Sequence, residues 1–216
     1  MFKNKSISLK ICGMRDSKNI LEVAALQPDY MGFIFYEKSP RYVGSDFSIP
    51  TGFPETIKRV GVFVNEQVEI VKAFSLKHQL DYVQLHGHES VAECAELKQS
   101  GIGVIKVFSV DADFDFKTTT PLENCVDYFL FDTKGKFYGG NAATFDWGLL
   151  NSYNQAVPFF LSGGLNEQNI SEIKNLKEMN LHAIDVNSGV ELSPGIKDID
   201  LIKKIKDLLS LASSKF

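Results

Sequence analysis

The sequence predicts an α/β fold of the closed (β/α)8 TIM barrel type, and three observations lead there. Short apolar runs alternate with longer segments of helical period from residue 8 to the C-terminal helix. Eight such pairs fit into 216 residues, enough for a compact barrel of this kind. No Gly-x-Gly-x-x-Gly follows the first run, so the dinucleotide signature of the competing open, doubly wound sheet is missing.

The first run, 8–12, leads into Lys10-Ile11-Cys12-Gly13-Met14. Alternate side chains of a strand share a face, so Lys10 and Cys12 point one way while Leu9 and Ile11 point the other. Asp16 is placed to cap a helix burying Ile20, Val23 and Ala24. The second run, 29–35, is nearly continuous in apolar character, as a strand buried on both faces should be. A loop follows at 36–42, and Pro50, Gly52 and Pro54 leave room for at most a short, poor helix. The third run is 59–64, with Asn65 placed to cap a helix that turns Val68, Val71 and Phe74 inward. The fourth is 81–85, before a helix in which Val91, Cys94, Ala95 and Leu97 form the stripe, making Cys94 a core residue.

The fifth run, 103–108, is followed by a crossover that Thr118-Thr119-Thr120-Pro121 makes irregular. The sixth, 127–132, leads through Gly139-Gly140 to a short helix beginning near Asp146. After the seventh, 158–162, Asn166 and Asn169 bracket a helix start with Ile170, Ile173 and Leu176 inward. The eighth is 182–186, and Asp198 caps a last helix burying Ile199, Ile202, Ile205 and Leu209. No linker, charge block or low-complexity tract interrupts the series, and no repeat is evident beyond the βα alternation. One domain spanning residues 1–216 is expected.

A net charge of −4 offers no basic footprint, which argues against nucleic acid as a partner. No apolar run approaches the ~20 residues that span a bilayer, so no membrane association is expected and a cytoplasmic location is the default. Three widely spaced cysteines without a Cys-x-x-Cys pair speak against a disulfide scaffold or a structural zinc site. Monomer and homodimer both stay open.

In a barrel of this type the chemistry gathers at the C-terminal ends of the strands. Cys12 and Asp132 end the first and sixth runs and Asp185 lies near the end of the eighth, each flanked by apolar residues that should face the helices. By parity all three face the barrel mouth. A lone cysteine is more often a small buried hydrophobe, and either aspartate alone could cap a strand or helix, but three inward polar groups at one rim are harder to dismiss. Gly163, Gly164, Ser188 and Gly189 lie in the loops after strands seven and eight, the usual phosphate corner, where glycine lets backbone N–H groups approach an anion. Pro194-Gly195 suggests a short extra turn completing that corner. Arg41 is the main cation on an early loop, able to pair bidentately with a substrate carboxylate or simply to be solvated. Gln84 reads as an interior hydrogen-bonding residue and His86 as structural. His78, His88 and His182 form no metal-ligand spacing with it.

A set of motifs runs along the chain: Lys10-Ile11-Cys12-Gly13-Met14, Gly32-Phe33-Ile34-Phe35, Ser39-Pro40-Arg41-Tyr42-Val43, Val60-Gly61-Val62-Phe63-Val64-Asn65 and Gln84-Leu85-His86-Gly87. Phe131-Asp132, Thr144-Phe145-Asp146-Trp147, Ser162-Gly163-Gly164-Leu165, Asp185-Val186-Asn187-Ser188-Gly189-Val190-Glu191 and Pro194-Gly195-Ile196-Lys197-Asp198 complete the set in order. In these motifs the chain resembles the phosphoribosylanthranilate isomerase family along essentially its whole length. The resemblance implies an Amadori rearrangement of N-(5′-phosphoribosyl)anthranilate in tryptophan biosynthesis, without cofactor or metal. It implies Cys12 as general base, Asp132 as general acid, Arg41 on the anthranilate carboxylate, Asp185 on the substrate side, and the glycine loops on the phosphate. Lys10, on the same face as Cys12, is the candidate for lowering the thiol's pKa.

Two departures from the family pattern stand out. Its Gly-Gly-Thr/Ser-Gly loop appears as Gly139-Gly140-Asn141-Ala142, and its Asp-Val-Ser-Ser-Gly as Asp185-Val186-Asn187-Ser188-Gly189. A barrel that binds a sugar phosphate without turning it over is one alternative. A sister isomerase acting on the aminoaldose of histidine biosynthesis is another, though such enzymes generally use two aspartates where this chain has Cys12 and Asp132.

Overall fold

The computed structural model describes residues 7–134 and 144–213. Eight strands form a closed parallel barrel in sequence order: β1 Ser8–Ile11, β2 Tyr30–Ile34, β3 Lys58–Phe63, β4 Tyr82–Leu85, β5 Gly103–Val110, β6 Tyr128–Thr133, β7 Phe159–Leu161 and β8 Leu181–Val186. Closure is made by β8 returning to β1, with Ser8 opposite Ala183 and Lys10 opposite Asp185. The Gly139-Gly140-Asn141-Ala142 loop lies outside the described residues.

Strand alternation sorts the core into two layers. The inner one holds Val60, Ile105, Val107, Leu130, Phe160 and Ala183 with Tyr30. Ile11, Phe33, Phe63, Phe129, Phe131 and Ile184 belong to the larger cluster between barrel and helices. Helix α1, Ser17–Ala24, is capped by the Asp16 carboxylate, which accepts from Asn19 N–H at 2.8 Å, and it buries Ile20, Val23 and Ala24 as expected. Helices α2, Val68–His78, and α3, Val91–Gln99, follow β3 and β4, with Cys94 fully buried. The last helix, α4, spans Ile199–Ser213, with the Asp198 carboxylate accepting from Asp200 and Leu201 N–H.

The other connections depart from α-helix. Tight 3-10 turns occupy Phe116–Leu122, Trp147–Ser152 and Ile170–Leu176, and the described residues show no helix between β2 and β3. Ile170, Ile173 and Leu176 are all buried as expected. Their strict three-residue spacing aligns them along one edge of a 3-10 helix, so the same stripe fits a tighter coil. Asn65 is not the cap of α2. It sits at φ 51°, and its side-chain Oδ1 accepts from His88 N–H at 2.6 Å while its backbone N–H donates to the Glu89 carboxylate, which ties the loop after β3 to the loop after β4. A cap is found instead at Ser90, which forms a reciprocal box with Glu93 at the start of α3. Pro194-Gly195 forms no helical turn either. It is the bend of a hairpin between β9, Glu191–Ser193, and β10, Ile196–Lys197.

A repeat does exist at the N-terminal end of the barrel. Asp29-Tyr30, Asp81-Tyr82 and Asp127-Tyr128 open β2, β4 and β6. Each aspartate accepts, at 2.8 Å, a backbone N–H of the preceding strand: Leu9, Arg59 and Val104 in turn. Each tyrosine turns inward, and the three rings pack with Phe160 and His182 into a floor, the Tyr30 hydroxyl lying 2.7 Å from His182 Nε2. Removing one such acceptor should cost about 1–2 kcal/mol, so Asp29→Ala is expected to lower Tm by roughly 2–8 °C. An unchanged thermal midpoint would show that strand pairing alone secures the floor.

Candidate active site

The C-terminal mouth of the barrel is lined by Cys12, Arg41, Gln84, His86, Asp132 and Asp185 together with the Ser162-Gly163-Gly164 and Ser188-Gly189 loops. Cys12 extends β1 by one residue, its N–H donating to Val186 O at 2.9 Å. Gly32 on the neighbouring strand makes room for the thiol, since a Cβ there would lie 2.7 Å from Cys12 Sγ. Below Cys12, Lys10 is completely buried and its Nζ sits 2.9 Å from Asp185 Oδ1. Asp132 is the penultimate residue of β6, one oxygen accepting from Thr133 N–H at 2.8 Å and the other 3.5 Å from His86 Nε2.

Electrostatics separate these groups. Burial pushes the Asp132 carboxyl up, and the nearby Asp185 charge adds to it, raising the pKa to about 7. Burial works against the Lys10 ammonium, but Asp185 and Cys12 outweigh it and hold its pKa above the ordinary value. Burial also raises the Asp185 carboxyl against the pull of Lys10; their 2.9 Å contact is that of a charged pair. For Cys12 burial is again the largest influence and its pKa lies above that of a free thiol, with Lys10 and Lys197 acting in the opposite direction. The influence of Lys10 therefore has the expected sign, but it does not make Cys12 a thiol of low pKa. His86 is pushed down to about 4 by burial and by the charges of Lys106 and Lys10, which leaves it neutral beside Asp132.

Both glycine loops reach one corner of the mouth. Gly163 and Gly164 adopt φ +89° and +66°, conformations that favour glycine. At Gly189 the requirement is space, because a Cβ would meet Leu165 O at 2.0 Å. The side-chain amides of Asn166 and Asn169 both donate to Gly164 O, at 3.0 and 2.9 Å. Among the described residues the N–H groups of Gly163 and Gly164 have no protein acceptor. That is the arrangement of donors an oxyanion would complete.

Arg41 differs from the sequence expectation. It is buried rather than solvated, and its Nε and Nη2 edge grips Glu191, with Nη2 to Oε2 at 2.7 Å, which leaves Nη1 for a substrate. Lys197 Nζ approaches the same carboxylate at 2.7 Å and Asn187 Oδ1 at 2.8 Å. Burial lowers Lys197 to about 8, while Arg41 and Lys197 outweigh burial and hold Glu191 below the ordinary carboxylate range. Neither Glu191 nor Lys197 was singled out by sequence, since only the β9–β10 hairpin turns them inward. Lys106 was missed for a related reason. It faces the helix layer, where its ammonium is satisfied by Glu89 at 3.0 Å and by the carbonyls of Leu85 and Gly87. Among the described residues no group of His, Cys, Asp or Glu could hold a metal ion, and no helix is long and apolar enough to cross a membrane.

Residues 9–207 match the family model for N-(5′-phosphoribosyl)anthranilate (PRA) isomerase. The chain belongs to the PRA isomerase family. A PRA isomerase from Parabacteroides distasonis is 44% identical over 201 residues, 90% of each chain, and one from Phocaeicola vulgatus is 42% identical over 190 residues, 88% of this chain and 91% of the relative. Among solved structures, PRA isomerase from Thermotoga maritima superposes with a TM-score of 0.84 at 35% identity, covering 94% of this chain and 98% of that one. A PRA isomerase in complex with reduced 1-(o-carboxyphenylamino)-1-deoxyribulose 5-phosphate superposes at 0.81 with 33% identity over the same shares. The chain is thus an isomerase of tryptophan biosynthesis with the barrel its family shares.

The position of Lys10 beneath Cys12 can be tested on the thiol. Alkylation of Cys12 by iodoacetamide, followed by peptide mass spectrometry, should rise with pH around a midpoint above the ~8.5 of a free thiol. In Lys10→Met the midpoint should move higher still, and equal midpoints would remove Lys10 from the control of the thiol.

Proposed function

We propose that this chain converts N-(5′-phosphoribosyl)anthranilate to 1-(2-carboxyphenylamino)-1-deoxyribulose 5-phosphate with Asp132 as general acid and Cys12 as general base. The observation that carries the assignment is an acid poised near neutral pH and a thiol facing one mouth, with a buried cation under the thiol. Asp132 donates its proton to the ribose ring oxygen as the bond from that oxygen to C1′ breaks, leaving an iminium at C1′. The iminium acidifies the C2′ proton, Cys12 removes it as thiolate, and the resulting enolamine tautomerises to the ketone. Lys10, held charged by Asp185, stabilises the thiolate as it forms. The substrate phosphate sits at Gly163, Gly164, Ser188 and Gly189, and the Nη1 edge of Arg41 faces the anthranilate carboxylate. One barrel domain in the cytoplasm belongs to the same reading, supported by three free thiols.

The acid titrates at about 7 and the base higher. The reacting arrangement, Asp132 protonated and Cys12 as thiolate, is then a minority form of a site holding one proton between the two groups. Below pH about 7 both groups are protonated and the base is lost; above the thiol's pKa both are ionised and the acid is lost. The expected kcat/KM rises with pH up to about 7, stays level, and falls once the thiol ionises. Following the loss of substrate fluorescence measures it, and a decline beginning near pH 7 would contradict this proton inventory. Cys12→Ala and Asp132→Asn should each lower kcat by about 10²–10⁴-fold; activity that survives both substitutions would overturn the assignment.

A further inference from the structure

Gln84 on β4 enters the same pocket as Cys12, Arg41 and Asp132 and is only 3% exposed. Its Oε1 is buried without a hydrogen-bond partner. Its register neighbours are Val62 on β3 and Ile105 on β5, so the residues level with it on the two adjacent strands offer no side-chain donor. An unmatched buried carbonyl is destabilising, and an apolar residue of the same shape would remove that penalty. The position calls for a donor that arrives with a ligand.

The topology says which part of the ligand it meets. In the eight-stranded ring β4 lies opposite β8, and the glycine corner is built on the loops after β7 and β8. With the phosphate anchored there, Gln84 faces the far end of the aminosugar, beyond the carbons that Asp132 and Cys12 serve. We propose that Gln84 is a substrate-binding residue whose Oε1 accepts a hydrogen bond from the arylamine N–H. This assignment rests on the isomerase reading and adds a contact to it. As the ring opens, the nitrogen gains positive charge and its N–H becomes a stronger donor, so the contact tightens along the reaction coordinate. The residue therefore supports kcat as well as KM.

The test compares the wild type with Gln84→Met, a swap of similar shape without the carbonyl. The expected result is a kcat about 10- to 100-fold lower, with Tm unchanged or raised. Calorimetry should show that the variant binds the reduced product analogue, which carries the arylamine, about tenfold more weakly than the wild type does. Ribulose 5-phosphate, which lacks the arylamine, should bind the two proteins alike. A kcat within about twofold of wild type would overturn the proposal, as would equal weakening of both ligands or a lowered Tm accompanying a general loss of binding. An inactive wild type would sink the isomerase reading itself, whereas an active wild type with an equally active variant sinks the role of Gln84 alone.

Discussion

The interaction on which the rest depends is the buried pair of Lys10 and Asp185 across the seam where the barrel closes. An ammonium with no exposure is tolerable only with a close counter-charge, and removing one partner of such a pair typically costs about 3–5 kcal/mol. A slip of β1 against β8 by one residue would turn Lys10 into the apolar outer layer and Cys12 with it. The same contact that fixes the register thus also sets which face of β1 the thiol occupies. It reaches further, because the charge of Asp185 helps to raise Asp132 while Lys10 opposes both the thiol's burial and that rise.

Burial acts unequally on the proposed acid and the proposed base. For Asp132 it is an advantage, keeping a proton on a carboxyl at a pH where an exposed one would have lost it. For Cys12 it is a handicap that two lysines only partly offset. In the proposed reaction the two groups share one proton. His86, kept neutral 3.5 Å from Asp132, fits that economy, since a cation there would pull the carboxyl toward its ionised form.

Much of this was legible in the chain, for reasons of period. The two-residue alternation of strands put Lys10, Cys12, Asp132 and Asp185 inside without any knowledge of long-range contacts, and Asp16 and Asp198 announced their helices by local chemistry. What was not legible depended on geometry that only folding supplies. Asn65 looks like a cap and is a bridge between loops; Arg41 looks free and is held by a glutamate 150 residues away. A stripe such as Ile170, Ile173 and Leu176 fits both an α and a 3-10 coil, so it marks the buried face without choosing the helix. The Asp-Tyr repeat was visible in the letters, but its meaning required seeing each aspartate reach back to the strand before it.

That repeat has a consequence for traffic through the enzyme. Tyr30, Tyr82 and Tyr128, packed with Phe160 and His182, stopper the barrel at the end opposite the chemistry. The vessel is open at the rim and corked at the base. In the proposed reaction substrate enters and product leaves by that rim, past the glycine loops and Arg41 that line it. The two molecules carry the same phosphate and the same aryl carboxylate, so each competes for the grips that hold the other. On that reading departure of one ligand precedes arrival of the next, and how loosely the proposed phosphate loops let go is as much a part of turnover as the movement of the proton.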